Sequence, residues 1–162
     1  MIAVRLVRLI ETHSDELADG LLNKFQMSSH TGDLRNVPTQ ELRERSLEVM
    51  RHLSEWLICK SESDIERRYK EMGLARAGQG VSLADFCWAM VLTKEHIWDF
   101  VQRQGCFNGP LEIYGAMELL RMLDRFFERA ICYGAEGYEK ARIESMDFVQ
   151  ASRQPSPNVT RL

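Results

Sequence analysis

The chain has 162 residues, 44% hydrophobic and 28% charged, with a net charge of −3 shared by both halves. That composition describes one globular domain, long enough to bury a core without disulfide or metal staples. It leaves no basic footprint for a phosphate backbone or an anionic lipid surface, and the longest nearly uncharged apolar run, residues 86–92, is far short of the ~20 residues that span a bilayer, so nucleic-acid and membrane partners are excluded.

No segment alternates apolar and polar residues in the manner of a strand, so the chain reads as all-α, a bundle of about five helices with a long carboxy-terminal one. Leu6, Leu9, Ile10, Leu17, Leu21, Leu22 and Phe25 give the first helix over 3–27, with Thr12 and Ser14 as points of interruption because their hydroxyls compete for backbone partners. A polar loop follows over 28–37, closed by Pro38. Thr39 then caps a second helix that ends near Cys59 or Lys60, its inner face Leu42, Val49, Leu53, Trp56 and Leu57. Ser63 with Glu66 reads as the capping box of a third helix, which Gly78 and Gly80 stop near Ala77.

Ser82 with Asp85 forms the next capping box, and Val81 with Phe86 has the spacing of a hydrophobic staple. The fourth helix spans 83–104. Its run at 86–92 is apolar all round, the signature of a central helix. Gly105 ends it, and Pro110 restarts the chain at a first helical position, where its missing N–H costs nothing. The fifth helix opens on a broad apolar face that includes Leu111, Tyr114, Leu119, Leu120, Leu123, Phe126, Phe127 and Ala130. Continued to about Gln150 it is about 60 Å long, so its end must project or bend, with Gly134 and Gly137 as bend points. The expected domain is 1–150, followed by a disordered tail over 151–162.

The sequence holds little that could carry catalysis. It has no Glu-x-x-His pair for a di-iron site, no nucleophile elbow, no Walker loop and no dinucleotide fingerprint. Glu48 and His52 share a helix face, but two ligands do not make a metal site. His13 and His30 stand in polar surroundings without an evident partner. Cys59, Cys87, Cys106 and Cys132 form no C-x-x-C pair and read as free thiols, with Cys87 and Cys132 buried in apolar runs. The amino terminus, broken by Arg5 and Arg8, carries no cleavage signal, so the expected location is cytoplasmic. No metal, catalytic residue or cofactor is expected.

Four stretches carry a family resemblance. They are Ile10-Glu11-Thr12-His13-Ser14-Asp15-Glu16-Leu17-Ala18, Arg76-Ala77-Gly78-Gln79-Gly80-Val81-Ser82-Leu83, Leu92-Thr93-Lys94-Glu95-His96-Ile97-Trp98-Asp99-Phe100 and Leu123-Asp124-Arg125-Phe126-Phe127. Through them the chain, over about 6–143, resembles the amino-terminal domains of RsbR-type RsbT co-antagonist proteins of the stressosome. The resemblance implies a globin-like bundle that binds no haem, dimerises and serves as a sensory input module. In that family the last helix leads to a STAS domain; here only a short polar tail follows Gln150, so output is expected through a homodimer or a separate STAS-domain or kinase partner.

Two readings follow. In the first, a non-enzymatic signalling module pairs through the stripe Tyr138, Ala141, Ser145 and Phe148, whose spacing is that of a coiled coil, or through Leu120, Leu123 and Phe127 at the level of the core. In the second, a carrier or sensor holds haem or another small molecule between the fourth and fifth predicted helices, in a pocket lined by Trp88, His96, Trp98 and Phe126.

Overall fold

The computed structural model describes residues 2–105 and 107–154; Cys106 and the last eight residues of the expected tail lie outside them. Within the described residues the chain is all-α, with no strand. It forms six α-helices: α1 (Ile2–Thr12), α2 (Ser14–Met27), α3 (Thr39–Arg51), α4 (Glu62–Gly78), α5 (Leu83–Arg103) and α6 (Pro110–Arg153). A 3-10 segment (Ser29–Asn36) follows α2, and a π turn (Glu55–Cys59) follows α3.

The first predicted helix is divided at His13, where Thr12 Oγ1 donates to the Arg8 carbonyl (2.8 Å) and the His13 ring to the Leu9 carbonyl (2.9 Å). Side chains thus take up the last carbonyls of α1, the competition expected at Thr12. The stretch 28–37 is not an irregular loop. Buried Thr31 donates to the Phe25 carbonyl (2.7 Å), and the Asp33 carboxylate accepts the Ser82 N–H (3.0 Å) while the Asp33 N–H donates to Asp85 (2.8 Å). This cross-brace replaces half of the expected capping box at α5. Ser82 Oγ does accept the Asp85 N–H (3.1 Å), but the Ser82 N–H goes to Asp33 instead.

Two caps differ from expectation. Thr39 is the first residue of α3 and Pro38 its cap, without a side-chain bond. The box that opens α4 is Ser61 with Asp64, two residues earlier than Ser63 with Glu66; Ser61 Oγ accepts the Asp64 N–H (3.2 Å) and Asp64 accepts the Ser61 N–H (3.0 Å). At the other end Gly78 is still helical. Gly80, at φ +72°, supplies the left-handed residue, and Val81 N–H bonds back to Arg76 across it (3.1 Å).

The spine of the molecule is α6, not α5. It packs along most of α4 and also against α1 and α5. α5 is amphipathic, with Phe86, Met90, Ile97 and Phe100 inside and Trp88 40% exposed, so its apolar run is not enclosed on all sides. The long helix is not interrupted at its glycines. A Cβ on Gly73 of α4 would run into the Gly134 carbonyl, and one on Gly137 into the Lys70 backbone, so these glycines let two helices touch backbone to backbone. α6 therefore stays helical through all 44 residues, about 66 Å, and reaches Arg153, three residues into the expected tail.

The start of α6 also departs from its expected face. Leu111 and Tyr114 are exposed, because α1 approaches the helix at Gly115, against Ile2, and not along the line of those two side chains.

Candidate functional site

The four residues expected to line one pocket lie in four different settings. Trp88 stacks on His30 at the surface, ring centroids 4.0 Å apart, which gives His30 the partner its sequence context did not show. His13 likewise lies against Phe100, 5.3 Å between centroids. Trp98 is half-buried at the edge of the core. Phe126 is buried in an aromatic cluster with Trp56, Tyr69 and Phe127.

His96 is buried between α5 and α2. Its Nε2–H donates to the Leu17 carbonyl (2.8 Å), and Gly20 leaves room for the ring. Nδ1 is buried and meets no partner among the described residues. Burial holds the imidazole below its ordinary value of 6.5, assisted by Lys24, since protonation would place a second N–H where nothing accepts it. The unfolded chain therefore takes up a proton near pH 6.5 that the folded chain refuses. Urea denaturation is expected to show stability constant above about pH 6.5 and falling below it, with that part of the slope absent in His96→Gln. An unchanged slope in the variant would place the titration elsewhere.

No metal centre assembles among the described residues. Glu48 accepts from Arg68 Nε (2.9 Å), while His52 Nδ1 lies 3.5 Å from Glu55, so the candidate pair faces two different partners. Cys59, Cys87 and Cys132 are free. Cys132 is exposed, against expectation, because it falls on the outer side of α6; Cys87 is half-buried, and burial pushes its thiol up.

Of the residues expected at a dimer interface, Leu123, Phe127 and Tyr138 are buried in the protein's own core and Leu120 is half-buried. Ala141 is half-buried, while Ser145 and Phe148 are exposed, Phe148 by 74%. Beyond Tyr138 the helix leaves the bundle. Ile143, Met146 and Val149 join Phe148 as exposed apolar side chains there, and an open groove of ≈ 700 Å³ runs between this end and Leu74, Ala77 and Gly78 of α4. These three additional residues stand among charges in the sequence, which hid them. Met146 and Val149 flank the Ala141, Ser145, Phe148 line at helical spacing, a signal legible in retrospect.

A small space of ≈ 50 Å³ lies between α2, the 3-10 segment, α3, α4 and α5 and is lined by none of the four expected pocket residues, whereas Phe126 lines a separate open groove with Trp56, Ile65 and Arg129.

The chain matches no curated protein and no solved structure significantly. It does match the family described as RsbT co-antagonist protein rsbRD N-terminal domain, over residues 5–153. With nearly its whole length so covered, and with an all-α structure ending in a long helix, the chain belongs to the RsbT co-antagonist rsbRD N-terminal domain family, whose members are regulatory domains of the stressosome type.

Proposed function

We propose that the chain is a non-enzymatic, cytoplasmic signalling module that works by recognition. A second copy pairs with it along the projecting end of α6, and the pair engages signalling partners of the STAS-domain or kinase kind.

The observation that carries this reading is the end of α6. From residue 139 to 153 no side chain is buried and only Ala141 is half-buried, yet the helix exposes Ile143, Met146, Phe148 and Val149. Nucleation of this segment is met by the packed part of α6, but most helical stability in proteins comes from covering an apolar face, which the projecting end lacks on its own. The groove beside Leu74 and Ala77 gives the same helix of a second copy a place to lie, with Ala141 and Ser145 small enough for close approach.

Native mass spectrometry tests this directly. The wild-type chain is expected to be dimeric at micromolar concentration, and Phe148→Glu, which sets one charge per copy into the apolar seam, is expected to weaken pairing at least about tenfold. The variant is expected to keep its fold, since Phe148 lies outside the core. A wild-type chain that stays monomeric, or a variant that pairs as well, would contradict the proposal.

A further inference from the structure

Two free thiols lie at one level of the seam between α5 and α6. The two helices run antiparallel, and two contacts set their register. Lys94 Nζ donates to Asp124 (2.9 Å), and the Phe86 ring occupies the space that a Cβ on Gly134 would take. Stepping from Lys94 back to Phe86 on α5 therefore advances α6 from Asp124 to Gly134. Cys87 directly follows Phe86 and Cys132 lies two residues before Gly134, so at about 1.5 Å per residue both stand within about 3 Å of that contact along the helix axes. Cys87 also shares a stripe of α5 with Lys94, seven residues on, whose side chain reaches α6. Cys132 is two turns beyond Asp124 and rotated outward from it, to the outer edge of the seam, and it is exposed where Cys87 is half-buried.

The two sulfurs also sense each other. Burial first, and a charge on Cys132 second, hold the Cys87 thiol above its ordinary value. No third His, Cys, Asp or Glu joins them into a metal-binding group among the described residues, which leaves thiol oxidation as the chemistry they share. A disulfide joins Cα atoms about 4.4–6.8 Å apart, and helices packed about 8–10 Å between axes bring the Cα atoms of their facing sides into that range. We propose that Cys87 and Cys132 are a redox pair, a modification site at which a peroxide closes an intramolecular disulfide between α5 and α6.

Exposed Cys132 meets the oxidant first. Its thiolate attacks one peroxide oxygen, the O–O bond breaks, and the departing oxygen takes up a proton and leaves as water, so the sulfur becomes a sulfenic acid. The Cys87 sulfur then attacks the Cys132 sulfur. The S–S bond forms as the S–O bond breaks, and the Cys87 proton leaves with the hydroxyl as a second water. One peroxide is reduced to two waters while two thiols are oxidised to one disulfide. Closing the bond draws the outer edge of α6 toward α5, within one turn of Gly134, where Gly73 of α4 presses on the α6 backbone. Any consequence for the projecting end rests on the signalling reading above; the bond itself does not.

The test is intact-mass and tryptic-peptide analysis of the full chain, unreduced, after a few equivalents of hydrogen peroxide at low protein concentration. A mass lower by two hydrogens is expected, with the peptide 77–94 joined to the peptide 130–140, and dithiothreitol is expected to separate them. Cys59→Ser/Cys106→Ser is expected to keep the link. Cys87→Ser is expected to lose it and to hold Cys132 as a sulfenic acid that dimedone captures, and Cys132→Ser to lose it without such capture at Cys87. Both thiols left unmodified, a link only between copies, a link through Cys59 or Cys106 in its place, or Cys132 carried on to sulfinic acid while Cys87 stays free would each overturn the proposal. None of these readouts depends on the oligomeric state, so failure here is separable from failure of the pairing reading.

Discussion

Gly73→Ala is expected to destabilise the protein by about 3 kcal/mol, the upper end of what overpacking costs, because the added methyl meets the Gly134 carbonyl and the Tyr138 N–H, backbone atoms that cannot rotate away. For a domain of this size that lowers the thermal midpoint by about 6–12 °C. Gly78→Ala, five residues along the same helix, is expected to do the opposite. Nothing lies within 4 Å of its would-be Cβ and its backbone is helical, so the substitution only restricts the unfolded chain and adds about 0.5–1 kcal/mol. Thermal denaturation of the two variants side by side checks the pair. Equal midpoints would mean that α4 and α6 do not cross at Gly73. Such a loss is a large share of the 5–15 kcal/mol that holds a domain together.

Glu41→Ala is expected to cost about 2–3 kcal/mol. Arg76 has its side chain 5% exposed, and its Nη1 donates to Glu41 (2.8 Å) and to Gln79 (2.6 Å), whose own amide donates to Glu41 (3.0 Å). Removing the carboxylate strands a buried guanidinium, which costs about 3–5 kcal/mol in a sealed site; Glu41 is 30% exposed, so water recovers part of it. The double variant Glu41→Leu/Arg76→Met removes both charges and is expected to lie much nearer wild type than Glu41→Ala. Hydrogen bonding from Arg76 holds the Glu41 carboxyl below its ordinary value of 4.5. Its contribution is therefore complete above about pH 4.5 and lost as the pH falls through the lower folded value. Urea midpoints of the three chains between pH 3 and 7 test both statements. A Glu41→Ala chain as stable as wild type would show that Arg76 is solvated.

Much of this architecture could be read from residues with strong local preferences. Ser82 before α5, Gly105 after it and Pro110 at the head of α6 each act within one turn of chain, and the structure keeps all three boundaries. A pattern that recurs two residues apart misleads: Ser63 with Glu66 reads as the box of α4, yet Ser61 with Asp64 has the same spacing and the helix starts there. Gly134 and Gly137 illustrate information that sequence does not contain: a glycine inside a helix looks like a weak point until the helix that presses against it is known. The small space between α2, α3, α4 and α5 escaped for a related reason, since Tyr69 and Arg76 are buried on a helix with little amphipathic contrast, and their environment is built by α3 and α5. The sequence setting of His96 suggests a pocket, and nothing local reveals its partner, the Leu17 carbonyl, 79 residues away.

The end of α6 is where the functional account stands on a single physical requirement, that a projecting helix with exposed Phe148, Met146 and Val149 is covered by another copy. Amide hydrogen exchange over residues 139–153 at several protein concentrations measures that requirement. Protection that rises with concentration, and that is lost in Phe148→Glu, is the expected result. Exchange at the rate of a frayed helix at every concentration, or protection that does not depend on concentration, would contradict it.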